Sequence, residues 1–439
     1  MDQSRRDFIK NSAILTAGLA LSMNAKSYGR ILGANDRLNY AVIGLHGRGY
    51  AHLKSINACK NVSITHICDV DSRELPKFSD AVEKKMNTKP IQVKDFRKIL
   101  EDKDVDAITI ATPEHWHTPM AIDGLKAGKH VYVEKPSSHN PREGELLVEA
   151  QKKFGKFVQL GNQQRSSDFT IHIVGKIKNG LIGKPYFGKA WYSSERKSIG
   201  TGKVVPVPDY LDWELWQGPA PRREYKDNIH PYNWHWFWNW GTGEALNNGT
   251  HEVDICRWAL SADYPKQVNA SGGRYHFKDD WEFYDTLVTN FQYDDKLIAW
   301  EEISCNGKQT YTGGRGSLII GTEGSVIINR RGYQVFDLSN KMIDEYKIAS
   351  ENETMDHLSM DSSTDMHFQN FTNAIRTGEK LHSPISDGNV SVTMLLLTNI
   401  AWKLGRTLNL DPSTGRILND DEAMKYWGRE YQPGWEIKL

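Results

Sequence analysis

The sequence predicts an α/β fold whose first half is a parallel sheet covered by helices on both faces. Three observations carry this. Short apolar runs at residues 40–43, 62–68, 107–111, 130–133 and 157–160 alternate with helical patterns. Strands apolar throughout are buried on both sides, as in parallel sheets. The first run enters Gly44-Leu45-His46-Gly47-Arg48-Gly49 without a spacer, and the second ends at Asp69.

The elements follow in order. A strand that turns sharply into a helix aims the free N–H groups of the helix N-terminus at a pyrophosphate, and glycine permits both the turn and the close approach. Residues 44–49 have this form, with His46 where the usual G-x-G-x-x-G places its second glycine. A helix runs from this turn to about residue 58, and Asp69 closes the next strand. A carboxylate there accepts the adenosine ribose hydroxyls and repels a 2′-phosphate, so the expected cofactor is NAD rather than NADP. The turn residues Gly44, His46, Gly47, Arg48 and Gly49 join Asp69 as cofactor-binding candidates. Residues 119–127 read as a helix capped by Gly128, and residues 142–153 as another.

Before this fold, Ser4-Arg5-Arg6-Asp7-Phe8 precedes an apolar, small-residue run from Ser12 to Met23. That order is a signal peptide of the twin-arginine type, so an exported, periplasmic protein is expected, with residues 1–37 as signal and linker. Lys+Arg and Asp+Glu are both 55, which removes the basic excess of a nucleic-acid binder. No apolar run is long enough to span a bilayer. Cys59, Cys68, Cys256 and Cys305 form no C-x-x-C pair and read as buried small side chains rather than a disulfide framework. His115 and His117 lack a carboxylate or cysteine to complete a ligand set, and no metal is expected.

In the second half, Trp234, Trp236, Trp238 and Trp240 recur at every second position. An extended segment would place them on one face, a platform for the C–H faces of a pyranose, although at least two should be packing residues. Residues 367–375 and 390–404 read as core helices.

Ala111-Thr112-Pro113-Glu114-His115-Trp116-His117, Glu134-Lys135-Pro136 and Gly249-Thr250-His251-Glu252-Val253-Asp254 then complete a pattern. With Gly161-Asn162-Gln163-Gln164-Arg165 and the run Asp212 to Pro219, the chain resembles the Gfo/Idh/MocA oxidoreductase family over residues 38–435, closest to its exported bacterial branch. The resemblance implies a Rossmann domain over residues 38–160. It also implies a C-terminal α+β domain over residues 161–439 with a large, mostly antiparallel sheet, one face shaping the substrate site and the other supporting a homo-oligomer. It further implies hydride transfer between NAD(P) and a sugar or polyol carbon. The family's catalytic lysine matches Lys135. Its Asp-x-x-x-His pair falls on Asn247 and His251, so the acid is replaced by an amide that cannot act as a base. The segment Thr112, Pro113, His115, Trp116, His117 and the residue Glu134 are implied to lie by the cofactor.

Oxidising a secondary alcohol removes a hydride from carbon and a proton from oxygen, and the proton needs a base. His251 is the natural candidate, and Lys135, at a strand end, is placed to polarise the hydroxyl or share the proton. Arg165, Tyr232 and His235, with Asn247 and His251, are the expected substrate contacts. The alternative function is an NAD-using glycosidase that oxidises, eliminates, hydrates and reduces with no net redox change. Export favours a tightly held cofactor, because free NAD is scarce outside the cytoplasm. A non-catalytic sugar-binding protein is the third reading, against which Lys135 and His251 argue.

Overall fold

The computed structural model describes residues 37–309, 311, 313–348 and 362–439. The signal-peptide segment lies outside the described residues.

The first half forms a six-stranded sheet in the order β3-β2-β1-β4-β5-β6. The strands are β1 (Leu38–Ile43), β2 (Val62–Cys68), β3 (Ile91–Val93), β4 (Ala107–Ile110), β5 (His130–Val133) and β6 (Val158–Leu160). All pairs are parallel. This is the doubly wound order, and its switch point lies between β1 and β4, where a crevice opens beyond the strand ends. The sequence reading found five of these strands and missed β3, whose three residues are too few to show a period. It also missed the helices Glu74–Met86 and Arg97–Glu101.

The second half builds a nine-stranded sheet, β14-β13-β12-β11-β7-β10-β9-β8-β15. Its strands are β7 (Pro185–Ser193), β8 (Gln267–Gly273), β9 (Thr286–Gln292), β10 (Leu297–Ile303), β11 (Arg315–Gly321), β12 (Gly324–Asn329), β13 (Gly332–Asp337), β14 (Met342–Lys347) and β15 (Leu408–Asn409). Neighbours are antiparallel except β7 and β10. One face packs on the helix Gly249–Ala259, buried along nearly its whole length.

The last strand of the first sheet ends at Leu160, but the packing of that sheet draws on the second half. The helix Ser362–Thr377 returns to the first sheet, where Phe368 stacks on Tyr132 with ring centroids 4.2 Å apart and Thr372 Oγ1 lies 2.9 Å from the Tyr40 hydroxyl. Phe368 and Phe371 thereby complete a core that includes Tyr40, Val42, Leu53 and Ile64.

The tryptophan run does not extend. Asn233–Trp236 is a 3-10 turn, so the indoles leave in different directions. Trp236 stacks on Trp281 and Trp240 packs with Trp213 and Trp216 as core, while Trp238 stacks on Phe283. Trp234 faces the cavity described next. Pro231 and the crowding of indoles, which cannot all be buried on one side of a strand, override the alternation.

Candidate active site

A cavity of about 1370 Å³ runs from the glycine turn, past the ends of β1 and β4, to the inner edge of the nine-stranded sheet. Gly44 sits at φ +86°, and a Cβ there would lie 2.5 Å from the Ala111 carbonyl oxygen. Gly49 packs the helix Gly47–Ala58 against the turn, where a Cβ would lie 2.4 Å from Gly44 O. Between them His46 has ordinary extended backbone, is exposed and lines the cavity, so the second glycine's place needs no glycine here. Asp69 faces the turn from the end of β2 and accepts the Leu45 and Asp71 N–H groups at 2.8 and 2.9 Å. Burial pushes its carboxyl up to about 6. A left-handed glycine, a helix N-terminus with open space before it and a strand-end carboxylate fit a dinucleotide.

The cofactor end is roofed by chain from the second half. Ser72 donates to Tyr210 O at 2.8 Å, Asp212 donates to Val70 O at 3.0 Å, and the Arg73 guanidinium lies 3.4 Å over the Tyr210 ring. Leu215, Trp216, His230, Pro231 and Trp234 of this strap line the cavity.

Lys135 follows β5. Its ammonium donates to the Asn247 carbonyl and, at 3.2 Å, to Asn247 Oδ1. Burial brings it down to about 8, against the pull of the Glu114 and Glu134 carboxylates. Glu134 itself is held well below the usual range by Arg48 and His52, which contact its Oε1 at 2.8 and 3.0 Å. Glu134 thus ties the loop carrying Lys135 to the helix that begins at the glycine turn.

His251 lies in the first turn of Gly249–Ala259, lines the cavity, and is kept neutral by burial and nearby cations. Among the described residues its Nδ1 has no hydrogen-bond partner. Asn247 does not reach it: the amide accepts from Lys135 and donates to Glu244 Oε1 at 3.2 Å. Tyr232 and His235 line the same end, with His235 stacked on Trp234 at 3.6 Å.

Two expected contacts lie elsewhere. Arg165 is buried in a bidentate pair with Asp254 at 2.6 and 2.9 Å and a further pair with Asp387 at 2.9 Å, away from the cavity. Two acids spend its fork on packing together the helices Gly249–Ala259 and Ile385–Leu404. His115 points away from the cavity, with Nε2 2.9 Å from Trp216 O, and burial holds it at about 3. Thr112, Pro113, Trp116 and His117 do line the cavity. His117 also braces the Lys135 loop, with its ring nitrogens 2.6 Å from Pro136 O and 2.8 Å from Thr112 O.

Glu114, Tyr192, Arg196 and Arg315, all in the cavity wall, are not among the site residues the sequence points to, whereas Trp234 of the expected platform does line the cavity. Arg196 pairs with buried Glu244, and Arg315 with Glu252 at 2.7 and 3.0 Å. Their positions depend on strand pairing across the second sheet, which no local spacing reveals. Glu114 was visible inside a motif already singled out. Among the described residues no group of three His, Cys, Asp or Glu is placed to hold a metal, and no helix is long and apolar enough to cross a membrane.

The chain is similar over part of its length to a glycosyl hydrolase family 109 protein of Saccharopolyspora erythraea, 29% identical over 216 residues, which cover 45% of this chain and 47% of that one. An alpha-N-acetylgalactosaminidase of Shewanella oneidensis is 26% identical over 211 residues, 44% of this chain and 46% of that one. The match therefore spans about half the length of these curated relatives. Among solved structures, a levoglucosan dehydrogenase in complex with NADH and levoglucosan superposes with a TM-score of 0.65 at 18% identity, covering 85% of this chain and 99% of that one. The WlbA dehydrogenase of Bordetella pertussis, in complex with NADH and UDP-GlcNAcA, superposes at 0.63 and 19% identity over 85% and 99%. These likenesses share the fold. Residues 38–162 match the oxidoreductase family with an NAD-binding Rossmann fold, and residues 187–437 match that family's C-terminal alpha/beta domain. The chain belongs to the Gfo/Idh/MocA oxidoreductase family.

Proposed function

We propose that this protein is an NAD-dependent oxidoreductase that moves a hydride to or from a secondary alcohol carbon of a sugar or sugar derivative. The observation that carries this reading is one continuous cavity, with Gly44 and Asp69 at one end and Lys135, His251 and Asn247 at the other. NAD bound there supplies the two-electron oxidant or reductant for the carbon. The Lys135 ammonium, anchored by both Asn247 oxygens, has a remaining N–H for the substrate oxygen, where it stabilises developing negative charge. Neutral His251 accepts a hydroxyl proton without first losing one of its own. Arg196 and Arg315, fixed by Glu244 and Glu252, are preorganised donors for sugar hydroxyls. Trp234, stacked on His235, offers an indole to the same cavity.

A second reading, the redox-neutral glycosidase, is favoured by the names of the partial relatives. It needs a cofactor that stays in place, and the strap over the cofactor end supports retention. Purified protein incubated with aryl glycosides and with free sugars, without added cofactor, separates the two. Growth or bleaching of the nicotinamide band identifies the dehydrogenase, and aglycone release without a net band change identifies the glycosidase. Failure to bind NAD in titration removes both.

The exported, twin-arginine reading belongs with this proposal and rests on Arg5, Arg6 and the apolar run after them. Replacing both arginines by lysine should leave the protein in the cytoplasmic fraction. A homo-oligomer is supported by the outer face of the nine-stranded sheet, where Val288 is exposed and Phe187, Leu318, Ile320 and Ile327 are half-buried around the Lys189–Glu301 pair. Light scattering tests it.

A further inference from the structure

The helix Gly243–Asn247 carries Glu244 and Asn247 three residues apart, with Asn248 directly after it, so the carboxyl and both amides share one face. Glu244 is fully buried behind the cavity wall. Among the described residues, four side-chain N–H groups converge on its two oxygens. Arg196, which follows β7, gives its Nε to Oε2 and its Nη2 to Oε1 at 3.0 Å. Oε1 also accepts from Asn247 Nδ2 at 3.2 Å and from Asn248 Nδ2. Each donor residue continues into the cavity. Arg196 Nη1 donates to the Tyr232 hydroxyl at 3.3 Å. Asn247 turns its Oδ1 to the Lys135 ammonium at 3.2 Å, and Asn248 turns its Oδ1 to Arg315 Nη1 at 3.1 Å. All six of these residues line the cavity.

We propose that Glu244 is the positioning residue of the substrate end: by accepting only, it orients the Asn247 amide toward Lys135 and the Arg196 guanidinium toward the sugar. This rests on the oxidoreductase reading above. Glu244 touches neither substrate nor cofactor and acts through the side chains it holds.

The reason lies in the pattern of donors and acceptors. A carboxylate has about four lone-pair sites and no N–H, so it takes four donors at once. An Asn247 amide turned the other way would set Oδ1 against the carboxylate and Nδ2 against the ammonium, unfavourable at both ends. The same holds for Asn248 between Glu244 and Arg315. Bidentate pairing fixes the plane of the Arg196 guanidinium and leaves Nη1 on the Tyr232 side of the cavity. Glu114, Glu134, Arg48 and Arg315 also act on the Lys135 charge, and His117, His235 and His251 feel it; all stay in place in every variant below.

The test is a pair of double-mutant cycles around E244Q, an exchange that keeps the shape and turns one acceptor into a donor. Sugar KM and kcat with NAD are measured in wild type, E244Q, R196M, N247A and the two doubles that carry E244Q. E244Q should raise KM about tenfold or more, the range for a hydrogen bond to a charged group, and should lower kcat. Added to R196M, it should leave KM within about twofold and still lower kcat; added to N247A, it should leave kcat within about twofold and still raise KM. NAD affinity should stay within about twofold of wild type throughout. Competitive acetylation of Lys135 across pH, read by peptide mass spectrometry, needs no turnover. Its midpoint should move to lower pH in E244Q, because the ammonium loses the held Oδ1, and should not move when E244Q is added to N247A. Losses that add in both cycles, a parallel loss of NAD affinity, or a lysine midpoint that moves equally in N247A would make Glu244 a packing residue or a remote charge and overturn the proposal. If E244Q does not fold, R196M with and without E244Q reads the same lysine shift, with no guanidinium left beside an amide. A wild type that turns over no sugar sinks the oxidoreductase reading, and the lysine midpoints then decide the proposal alone.

Discussion

Asn247 shows how one residue changes the charge of the site. The resemblance implies an acid at this position; the amide found here has its Oδ1 and Nδ2 spent on Lys135 and Glu244. Asn247→Asp would set a carboxylate beside the ammonium and a like charge beside Glu244. A neighbouring anion favours the protonated lysine, so the limb near pH 8 in kcat/KM should move up by about one unit or more. A shift of the acidic limb instead would mean that residue 247 acts on His251, contrary to the geometry. Lys135→Ala and His251→Ala should each lower kcat by roughly 10²–10⁴, the range for a positioned proton-transfer group. The His251 variant should still bind NAD, since that residue lies at the other end of the cavity; near-normal turnover in either variant removes the residue from the mechanism. At the adenosine end, the Asp69 carboxylate should make NAD bind more tightly than NADP, and the reverse order in a binding titration would refute that role.

Among the elements, those with a local cause were readable from the chain. The strand-turn-helix at Gly44 follows from a backbone that only glycine adopts easily and from a helix that must approach it at Gly49. Mostly apolar runs marked β1, β2, β4, β5 and β6, because burial on both faces leaves room for few polar side chains, such as Thr109 and Gln159. The strap from the second half was not readable as a roof. Its hold on the first half includes two backbone hydrogen bonds, the contacts of His115 and Trp116 with the Leu215 and Trp216 carbonyls and the Arg73–Tyr210 stack, none of which leaves a periodic trace. Arg165 misled for a related reason: an arginine in a family motif looks functional until Asp254 and Asp387 arrive from distant helices. The strap gives a prediction of its own. Arg73→Ala with Tyr210→Ala should loosen it, and the purified double variant should lose bound nicotinamide on gel filtration while wild type keeps it. Equal retention would show that the strap does not hold the cofactor.

At the scale of the whole molecule, the two sheets are not independent bodies. The helix Ser362–Thr377 lies some 200 residues or more beyond the first sheet in sequence, yet its Phe368 and Phe371 fill the core under Tyr40 and Tyr132. Without it those two tyrosines and Leu53 would face water, an apolar loss that a small domain cannot absorb. The same helix ties to the helix Gly47–Ala58 through Ser55 and Asp365 at 2.6 Å and through the His52–Phe368 contact. Cofactor binding in the first half should therefore depend on a residue contributed from the far end of the chain. Phe368→Ala removes a fully buried ring and should cost about 3–5 kcal/mol, the range for such a truncation. NAD binding and far-UV circular dichroism, followed together in urea, should be lost at one midpoint in wild type and at a lower common midpoint in the variant. Added NAD should raise both midpoints, because it binds only the folded protein. If NAD binding in Phe368→Ala kept the wild-type midpoint while the rest of the signal moved, the first sheet would be folding without the returning helix, and the shared core would not couple the two halves.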